Sequence, residues 1–193
     1  MNLPNILTLF RVLGSFVFLY YSAIEEWQIA FIIFGLSALT DLVDGALARL
    51  LKQRTRLGAI LDPMADKLLM FFSFMTLTAS GYLPIYLTTL VVARDLFITL
   101  GLRYLISQKA EIKYEPTFLS KTTTCFQITT VFIALMTTQT MYPGWQPHRS
   151  PIVKNSLTLF VMMSVVFTAL TFVQYFKIGL TILHETRARQ RAL

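Results

Sequence analysis

The chain alternates between six long apolar stretches and short polar interruptions. The apolar stretches are 6–23, 27–50, 59–80, 84–106, 118–141 and 157–178. Each is close to the ~20 apolar residues that a helix needs to cross the hydrocarbon core of a bilayer. The pattern predicts an all-α integral membrane protein, a bundle of six transmembrane helices. Because six is even, both termini are expected on the same side of the membrane.

The composition supports lipid as the solvent of most of this chain. Hydrophobic residues make up 55% of the 193 residues and charged residues only 14%, against about 25% charged residues in a soluble domain. At this length we expect one membrane domain, residues 1–193. Cys125 is the only cysteine, which excludes an intrachain disulfide and a cysteine-rich metal site.

The formal net charge of +7 does not indicate nucleic-acid binding, because the basic residues lie between apolar stretches rather than along one face. They concentrate in 52–56, 109–113 and 187–191, with only Arg149 and Lys154 on the opposite side. The positive-inside rule then places the termini in the cytoplasm. The basic cytoplasmic tail, about 179–193, is predicted to leave the bilayer as a short surface helix.

Four of the five aspartates, Asp41, Asp44, Asp62 and Asp66, lie at the cytoplasmic ends of the second and third stretches. A charged residue deep in a bilayer costs about 3 kcal/mol on insertion scales, so such a cluster needs a reason. The spacings i,i+3 and i,i+4 put each pair on one helix face. The connection 51–57 is short enough to make the two helices antiparallel neighbours.

These four carboxylates are therefore predicted to share one water-accessible pocket. Hard oxygen ligands suit Mg²⁺, Mn²⁺ or Ca²⁺ rather than a soft metal. Two such ions about 4 Å apart would clamp the attacking and leaving oxygens of a phosphoryl displacement. The structural alternative is a salt-bridged seam between helices, but the neighbouring Arg49 and Lys67 cannot neutralise four carboxylates.

Small residues accompany the aspartates. Gly45 costs about 1 kcal/mol relative to Ala inside a helix, so close approach of a ligand or of another helix must account for it. Ala48 lies one turn beyond Asp44 and keeps the same face open. Arg49 can bind phosphate oxygens with its forked donors.

Together these residues form Asp41-x-x-Asp44-Gly45-x-x-Ala48-Arg49, eight residues, Gly58-x-x-x-Asp62-x-x-x-Asp66. This pattern resembles the signature of the CDP-alcohol phosphatidyltransferase family at every fixed position. The six-stretch layout and the opening Pro4-Asn5-x-x-Thr8-x-x-Arg11 extend the resemblance over most of the chain.

The resemblance implies an enzyme that transfers a phosphatidyl group from CDP-diacylglycerol to an alcohol and releases CMP. It implies a metal site of Asp41, Asp44 and Asp62, with Asp66 as the general base that shares in metal binding. The cofactor would be Mg²⁺ or Mn²⁺, as two ions. The CDP site would be formed by Gly45, Ala48, Arg49 and Gly58, with Asn5 and Thr8 approaching from the first helix. For Asn5 and Thr8, the alternative is an interfacial cap.

The family layout also implies a polar cavity that opens to the cytoplasm and a homodimer in the lipid bilayer. A bacterial and a mitochondrial inner membrane fit equally well. Neither the acidic cluster nor the basic loops distinguish them.

Arg94, Arg103 and Lys121 are candidates for binding the acceptor alcohol. They lie in or at the ends of the fourth and fifth stretches and could form a cationic pocket for an acceptor phosphate; the alternative for each is snorkelling to the interface. Ala93-Arg94-Asp95 and residues 116–122 resemble eukaryotic-type cardiolipin synthases, which favours phosphatidylglycerol as acceptor. Glycerol 3-phosphate, the acceptor of phosphatidylglycerophosphate synthases, is the alternative.

Two other classes of function compete with an enzyme. A cation transporter could use intramembrane carboxylates, but its polar groups should be spread through the bilayer, whereas these gather at one face. An inactive membrane scaffold would leave four aspartates at metal-binding spacing unexplained.

Overall fold

The computed structural model describes the backbone of residues 3–51, 56–108, 117–139 and 150–191, and the side chains of 9–40, 67–108, 117–139 and 150–186. Within these residues the protein consists of six helices and contains no strand, so the all-α prediction is confirmed. The helices are α1 (Leu3–Ala23), α2 (Trp27–Leu51), α3 (Arg56–Ala79), α4 (Ile85–Ser107), α5 (Phe118–Thr137) and α6 (Pro151–Arg191).

The first and third helices end in the same type of hydrogen-bonded turn. After α1, Glu25 has φ 61°, and the Glu26 N–H donates to the Tyr21 carbonyl at 2.9 Å. After α3, Gly81 has φ 78°, and the Tyr82 N–H donates to the Leu77 carbonyl at 2.8 Å. A left-handed residue followed by this six-to-one bond is the Schellman motif, which satisfies the last free carbonyls of a helix.

Three helices in the described part of the chain are long and apolar enough to cross a membrane, judged by length and composition: Ile85–Ser107, Phe118–Thr137 and Pro151–Thr186. The other three helices contain shorter apolar stretches among the described side chains, Leu9–Ala23, Trp27–Thr40 and Lys67–Ala79. The chain therefore has the helices expected of a membrane protein.

The last helix differs from its prediction. The basic tail, expected to leave the bilayer as a short surface helix, is helical as far as Arg191 and continues α6 without a break, so that α6 has 41 residues. At 1.5 Å per residue it is about 61 Å long, roughly twice the ~30 Å hydrocarbon core. The tail 179–193 contains three Arg, three Leu and two Ala, which are good helix formers, so loss of apolar character does not end the helix.

One compact unit comprises the described residues of Met1–Leu83 and Val131–Asn155. Within it α1 packs against both α2 and α3. Its core contains the fully or almost fully buried Phe18, Phe34, Phe74 and Leu77. At Gly14 of α1, an added methyl group would come within 3.4 Å of the Ser37 hydroxyl of α2, so small residues let these two helices approach closely.

The second compact unit comprises the described residues of Pro84–Thr130 and Ser156–Leu193. Here side-chain hydrogen bonds join α5 and the residue preceding it to α6 in a ladder, which is the pairing order of antiparallel helices. The rungs are Thr117–Gln174 at 3.1 Å, Thr123–Thr171 at 2.6 Å, Gln127–Thr168 at 3.0 Å and Thr130–Ser164 at 2.8 Å. The Phe126 and Phe167 rings stack between the rungs, with centroids 4.7 Å apart.

Candidate active site

The four predicted metal ligands lie on consecutive helices at corresponding distances from the connection. Asp44 is seven residues before the end of α2, and Asp62 is six residues after the start of α3. Asp41 and Asp66 are each ten residues from the same two ends. At 1.5 Å per residue these distances are about 9–11 Å and about 15 Å along the axes.

The connection between α2 and α3 is four residues, 52–55. Five Cα–Cα steps of 3.8 Å keep the two helix ends within about 19 Å of each other, and so short a connection is typical of antiparallel neighbours. We therefore expect the backbone positions of Asp44 and Asp62 to lie side by side, at nearly the same distance along the helix axes from the connection. The backbone positions of Asp41 and Asp66 should lie side by side about one turn farther along. The aspartate side chains lie outside the described residues.

The predicted CDP-binding residues are distributed over three helices that pack together. α1 contacts both acidic helices, and its first two turns carry two of these residues. The positions are Asn5 and Thr8 on α1, Gly45, Ala48 and Arg49 on α2, and Gly58 on α3. Their side chains also lie outside the described residues, so their roles stay predictions.

The predicted metal ligands lie outside the side chains that the structure describes. In 9–40, 67–108, 117–139 and 150–186, no group of three or more His, Cys, Asp or Glu side chains could hold a metal ion. The expected ligands are not among these residues. The metal site accordingly stays a prediction.

Arg94 is the centre of a buried polar cluster in the second unit. It lies near the middle of α4 and is only 8% exposed. Its Nη1 donates to the Asp95 carboxylate at 2.6 Å, and its Nη2 donates to the Ser120 hydroxyl at 2.8 Å. The guanidinium carbon lies 5.8 Å from the Tyr175 ring centroid, within the range of a cation–π contact.

One donor of this guanidinium is not used within the described part of the protein. Arg94 Nε is buried and has no hydrogen-bond partner there. A buried polar group left unpaired costs about 1–3 kcal/mol, and more when charged. The ion pair with Asp95 thus compensates the charge of Arg94, while the unpaired Nε adds to the cost of burying it.

The start of α5 is fixed so that Ser120 meets Arg94. Thr117 immediately precedes α5, and its hydroxyl accepts the N–H of Ser120, the third helical residue, at 3.2 Å. This is the bond of an N-cap threonine. The same hydroxyl donates to the Gln174 amide oxygen of α6 at 3.1 Å. The cap therefore ties the α5 start to α6, next to Tyr175.

Of the three predicted acceptor-binding residues, Arg94 is the one with described contacts in this cluster. Lys121 directly follows Ser120 and is exposed. Arg103 is also exposed, but it follows Arg94 by nine residues. At 100° per residue this places Arg103 on the opposite face of α4, so the structure does not bring it to the Arg94 cluster.

Sequence reasoning missed Tyr175 and the capping pair Thr117–Gln174. Tyr175 and Gln174 lie on α6, more than fifty residues from their partners. Tyrosine is common in membrane helices near interfaces, and a single glutamine has no characteristic role, so these residue types alone do not indicate a site. Only the packing of α6 beside α4 and α5 identifies them.

Next to the cluster, α4 and α6 line a partly open apolar cavity of about 220 Å³. Phe97, Gly101 and Leu105 line it from α4, and Tyr175 and Gly179 from α6. A methyl group added at either glycine would meet no atom within 4 Å. The lining suits an apolar group and would not stabilise a phosphate.

The chain matches the CDP-alcohol phosphatidyltransferase family over residues 1–183. Because this match covers nearly all of the 193 residues, the chain belongs to the CDP-alcohol phosphatidyltransferase family. The family resemblance seen in the aspartate pattern is confirmed.

Individual relatives carry two different names. A human cardiolipin synthase (CMP-forming) is 33% identical over 150 residues, 69% of this chain and 50% of the relative. A CDP-diacylglycerol–glycerol-3-phosphate 3-phosphatidyltransferase of Aquifex aeolicus is 38% identical over 128 residues, 65% of this chain and 71% of the relative. A protein of the same name from Cereibacter sphaeroides is 37% identical over 144 residues, 71% of this chain and 64% of the relative. The matched part thus spans about half the length of the human relative.

Proposed function

We propose that this protein is a membrane-embedded phosphatidyltransferase of phospholipid synthesis. It transfers the phosphatidyl group of CDP-diacylglycerol to a glycerol-containing alcohol and releases CMP. Membership of the family and the names of the relatives support this reaction. The structural observation that carries the proposal is the matching distance of Asp41 with Asp66, and of Asp44 with Asp62, from one short helix connection.

The donor set fits divalent metal. Asp41, Asp44 and Asp62, with a share from Asp66, would hold two Mg²⁺ or Mn²⁺ ions, since carboxylate oxygens are hard ligands. When bound, such ions neutralise diphosphate charge and stabilise the leaving oxygen. Arg49 would bind the diphosphate, and Gly45, Ala48, Gly58, Asn5 and Thr8 would form the rest of the CDP site.

The transfer itself is one displacement at phosphorus. The Asp66 carboxylate accepts the proton of the acceptor hydroxyl, and the oxygen of that hydroxyl forms a bond to the lipid-side phosphorus. The bond from this phosphorus to the oxygen shared with CMP breaks, and CMP leaves with the bonding electron pair. The products are the new phosphodiester, CMP and one proton held on Asp66.

The proposed setting is a six-span protein forming one domain, with its polar cavity open to the cytoplasm. α1, α2 and α3 are 21, 25 and 24 residues long, which reaches the ~20 residues that a span requires. With the three apolar helices α4, α5 and α6, this supports six spans. We also propose a homodimer in a bacterial or mitochondrial inner membrane.

For the acceptor we propose phosphatidylglycerol, bound on the side of Arg94 and Lys121. Glycerol 3-phosphate is the alternative, and each is supported by the name of a relative. A direct comparison of the two acceptors with the purified protein decides between them.

The Asp66→Asn substitution tests the reaction. Asparagine keeps the size of the side chain but cannot take a proton from the acceptor hydroxyl. Because general base catalysis contributes about 10²–10⁴-fold, CMP release from CDP-diacylglycerol should fall at least about 100-fold. The measurement is CMP formation by the purified protein with Mg²⁺ or Mn²⁺ and an acceptor panel of phosphatidylglycerol, glycerol 3-phosphate, inositol 1-phosphate, serine and choline.

Glu26→Gln is the matched control, because it also removes one carboxylate, at an exposed position of the turn between α1 and α2. It should leave CMP formation unchanged. Full activity of Asp66→Asn would contradict the role of Asp66 as general base. CMP formation that survives chelation would contradict the dependence of the reaction on a divalent metal. Absence of CMP formation with every acceptor would contradict the proposed phosphatidyltransferase activity.

A further inference from the structure

The ion pair of Arg94 and Asp95 sets the charge of the region proposed to receive the acceptor. Asp95 Oδ1 lies 2.6 Å from Arg94 Nη1. The Asp95 side chain is 34% exposed, whereas that of Arg94 is 10% exposed. The carboxylate therefore faces the accessible side of the pair, and its negative charge compensates a buried positive one.

The described charged residues at this place are few. Arg94 contributes one positive charge and Asp95 one negative charge. The proposed function adds one more positive charge, that of Lys121, which follows the Ser120 bonded to Arg94. Arg103 lies on the opposite face of α4. With Lys121 included, the proposed acceptor region carries a net charge of about one positive unit.

The two candidate acceptors differ in the charge of their phosphate. The phosphodiester of phosphatidylglycerol carries one negative charge. A phosphomonoester carries about −1.5 to −2 at pH 7, since its second pKa is about 6. A partly buried region with one net positive charge neutralises the single negative charge of the diester. The second negative charge of the monoester stays uncompensated there, and an uncompensated charge is costly in surroundings of low polarity.

We propose that Asp95 is a positioning residue that sets acceptor specificity. By holding Arg94 in an ion pair, it limits the positive charge of the acceptor region and so selects a phosphodiester lipid over a phosphomonoester. This inference rests on the proposed function, because it assumes that the acceptor binds beside Arg94 and Lys121. It goes further in assigning the choice of substrate class to one carboxylate.

Asp95→Asn tests this inference. The asparagine oxygen can still accept the hydrogen bond from Arg94 Nη1, while the net charge of the cluster rises by one unit. In detergent–lipid micelles, kcat/KM is measured for phosphatidylglycerol and for glycerol 3-phosphate. Wild type should prefer phosphatidylglycerol, and the substitution should shift the kcat/KM ratio toward glycerol 3-phosphate by about tenfold or more, mostly through a lower KM for glycerol 3-phosphate.

Two further variants separate charge from structure. Asp95→Glu keeps the carboxylate and should retain the wild-type ratio of the two kcat/KM values. If Asp95 had a purely structural role, Asp95→Asn and Asp95→Glu should change this ratio equally. Glu26→Gln removes an exposed carboxylate of the other unit and should not change the ratio. Elution of each variant at the wild-type position in size-exclusion chromatography shows that it is folded.

The outcomes distinguish this inference from the function on which it rests. An unchanged ratio in Asp95→Asn, with active wild type, overturns the inference alone. A wild type that prefers glycerol 3-phosphate also overturns it, while the transferase reaction stands. A wild type that forms no CMP with any acceptor overturns both.

Discussion

Hydroxyl side chains are buried in both units of the protein, but they make different bonds. In the first unit, the Ser15 hydroxyl donates to the Arg11 carbonyl and the Ser73 hydroxyl to the Leu69 carbonyl, each at 2.8 Å and one turn earlier in the same helix. In the second unit, Thr130 makes such a bond to Phe126 and also meets Ser164 of α6 at 2.8 Å. In these described examples, the hydroxyl bonds within one helix in the first unit and joins two helices in the second.

The difference indicates two ways of associating helices where lipid replaces water. Small side chains such as Gly14 and Ser37 allow close approach and dispersion contacts. Hydroxyl and amide groups, as in the α5–α6 ladder, add hydrogen bonds between helices, each worth about 0.6 kcal/mol on average and up to about 1.7. Stability should therefore depend mainly on the volume of the side chains between helices in the first unit and on hydrogen bonds between side chains of two helices in the second.

The largest effect is expected from Gly14→Leu. A methyl group at this position already reaches 3.4 Å from the Ser37 hydroxyl, so the larger side chain must push α1 from α2. Overpacking of this kind costs about 1–3 kcal/mol, measured by unfolding in mixed micelles of SDS and a mild detergent. Gly14→Ala is the control and should be tolerated, since the methyl makes an ordinary contact. Equal stability of the leucine variant and wild type would show that volume does not limit the α1–α2 contact.

A double-mutant cycle of Thr130→Val and Ser164→Ala measures one rung of the ladder. The coupling energy, which isolates the pair from the single effects, should be about 0.6 kcal/mol in the same unfolding assay. Thr129→Val in place of Thr130→Val is the matched control, because the Thr129 hydroxyl bonds to the Cys125 carbonyl of its own helix at 2.9 Å. A coupling near zero for Thr130 and Ser164 would remove the distinction between the two units.

The smallest effect is expected from Ser73→Ala. Ser73 is fully buried, yet its hydroxyl bonds within α3, and alanine is the better helix former. The free energy of unfolding should change by less than about 0.5 kcal/mol. A loss as large as that of Ser164→Ala would mean that buried hydroxyls stabilise both units alike.

Apolar length predicted the positions of the helices well. The predicted stretches 27–50 and 84–106 correspond to Trp27–Leu51 and Ile85–Ser107. The prediction failed at α6, whose expected stretch of 157–178 became Pro151–Arg191. Apolar length reports which residues prefer lipid, whereas a helix persists for as long as its backbone hydrogen bonds are favourable.

The candidate site was predictable only where its residues are close in sequence. The aspartate pattern depends on spacings within two adjacent helices, and a single sequence contains those spacings. The pairing of Arg94 with Ser120, and its contact with Tyr175, depend on how α4, α5 and α6 pack. Residue type and spacing do not encode that packing, so the contacts of Arg94 with Ser120 and Tyr175 became visible only in the structure.

The α5–α6 ladder has a consequence for the order in which the helices enter the membrane. Thr123, Thr130 and Thr171 can each donate instead to a carbonyl of their own helix, so either helix can enter lipid alone without leaving these hydroxyls unbonded. Gln127 differs, since its amide donates to Thr168 across the pair. α6 can therefore be synthesised and inserted after α5 with little cost in unpaired hydroxyl groups. The Gln127 amide gains its partner only when α6 packs against α5.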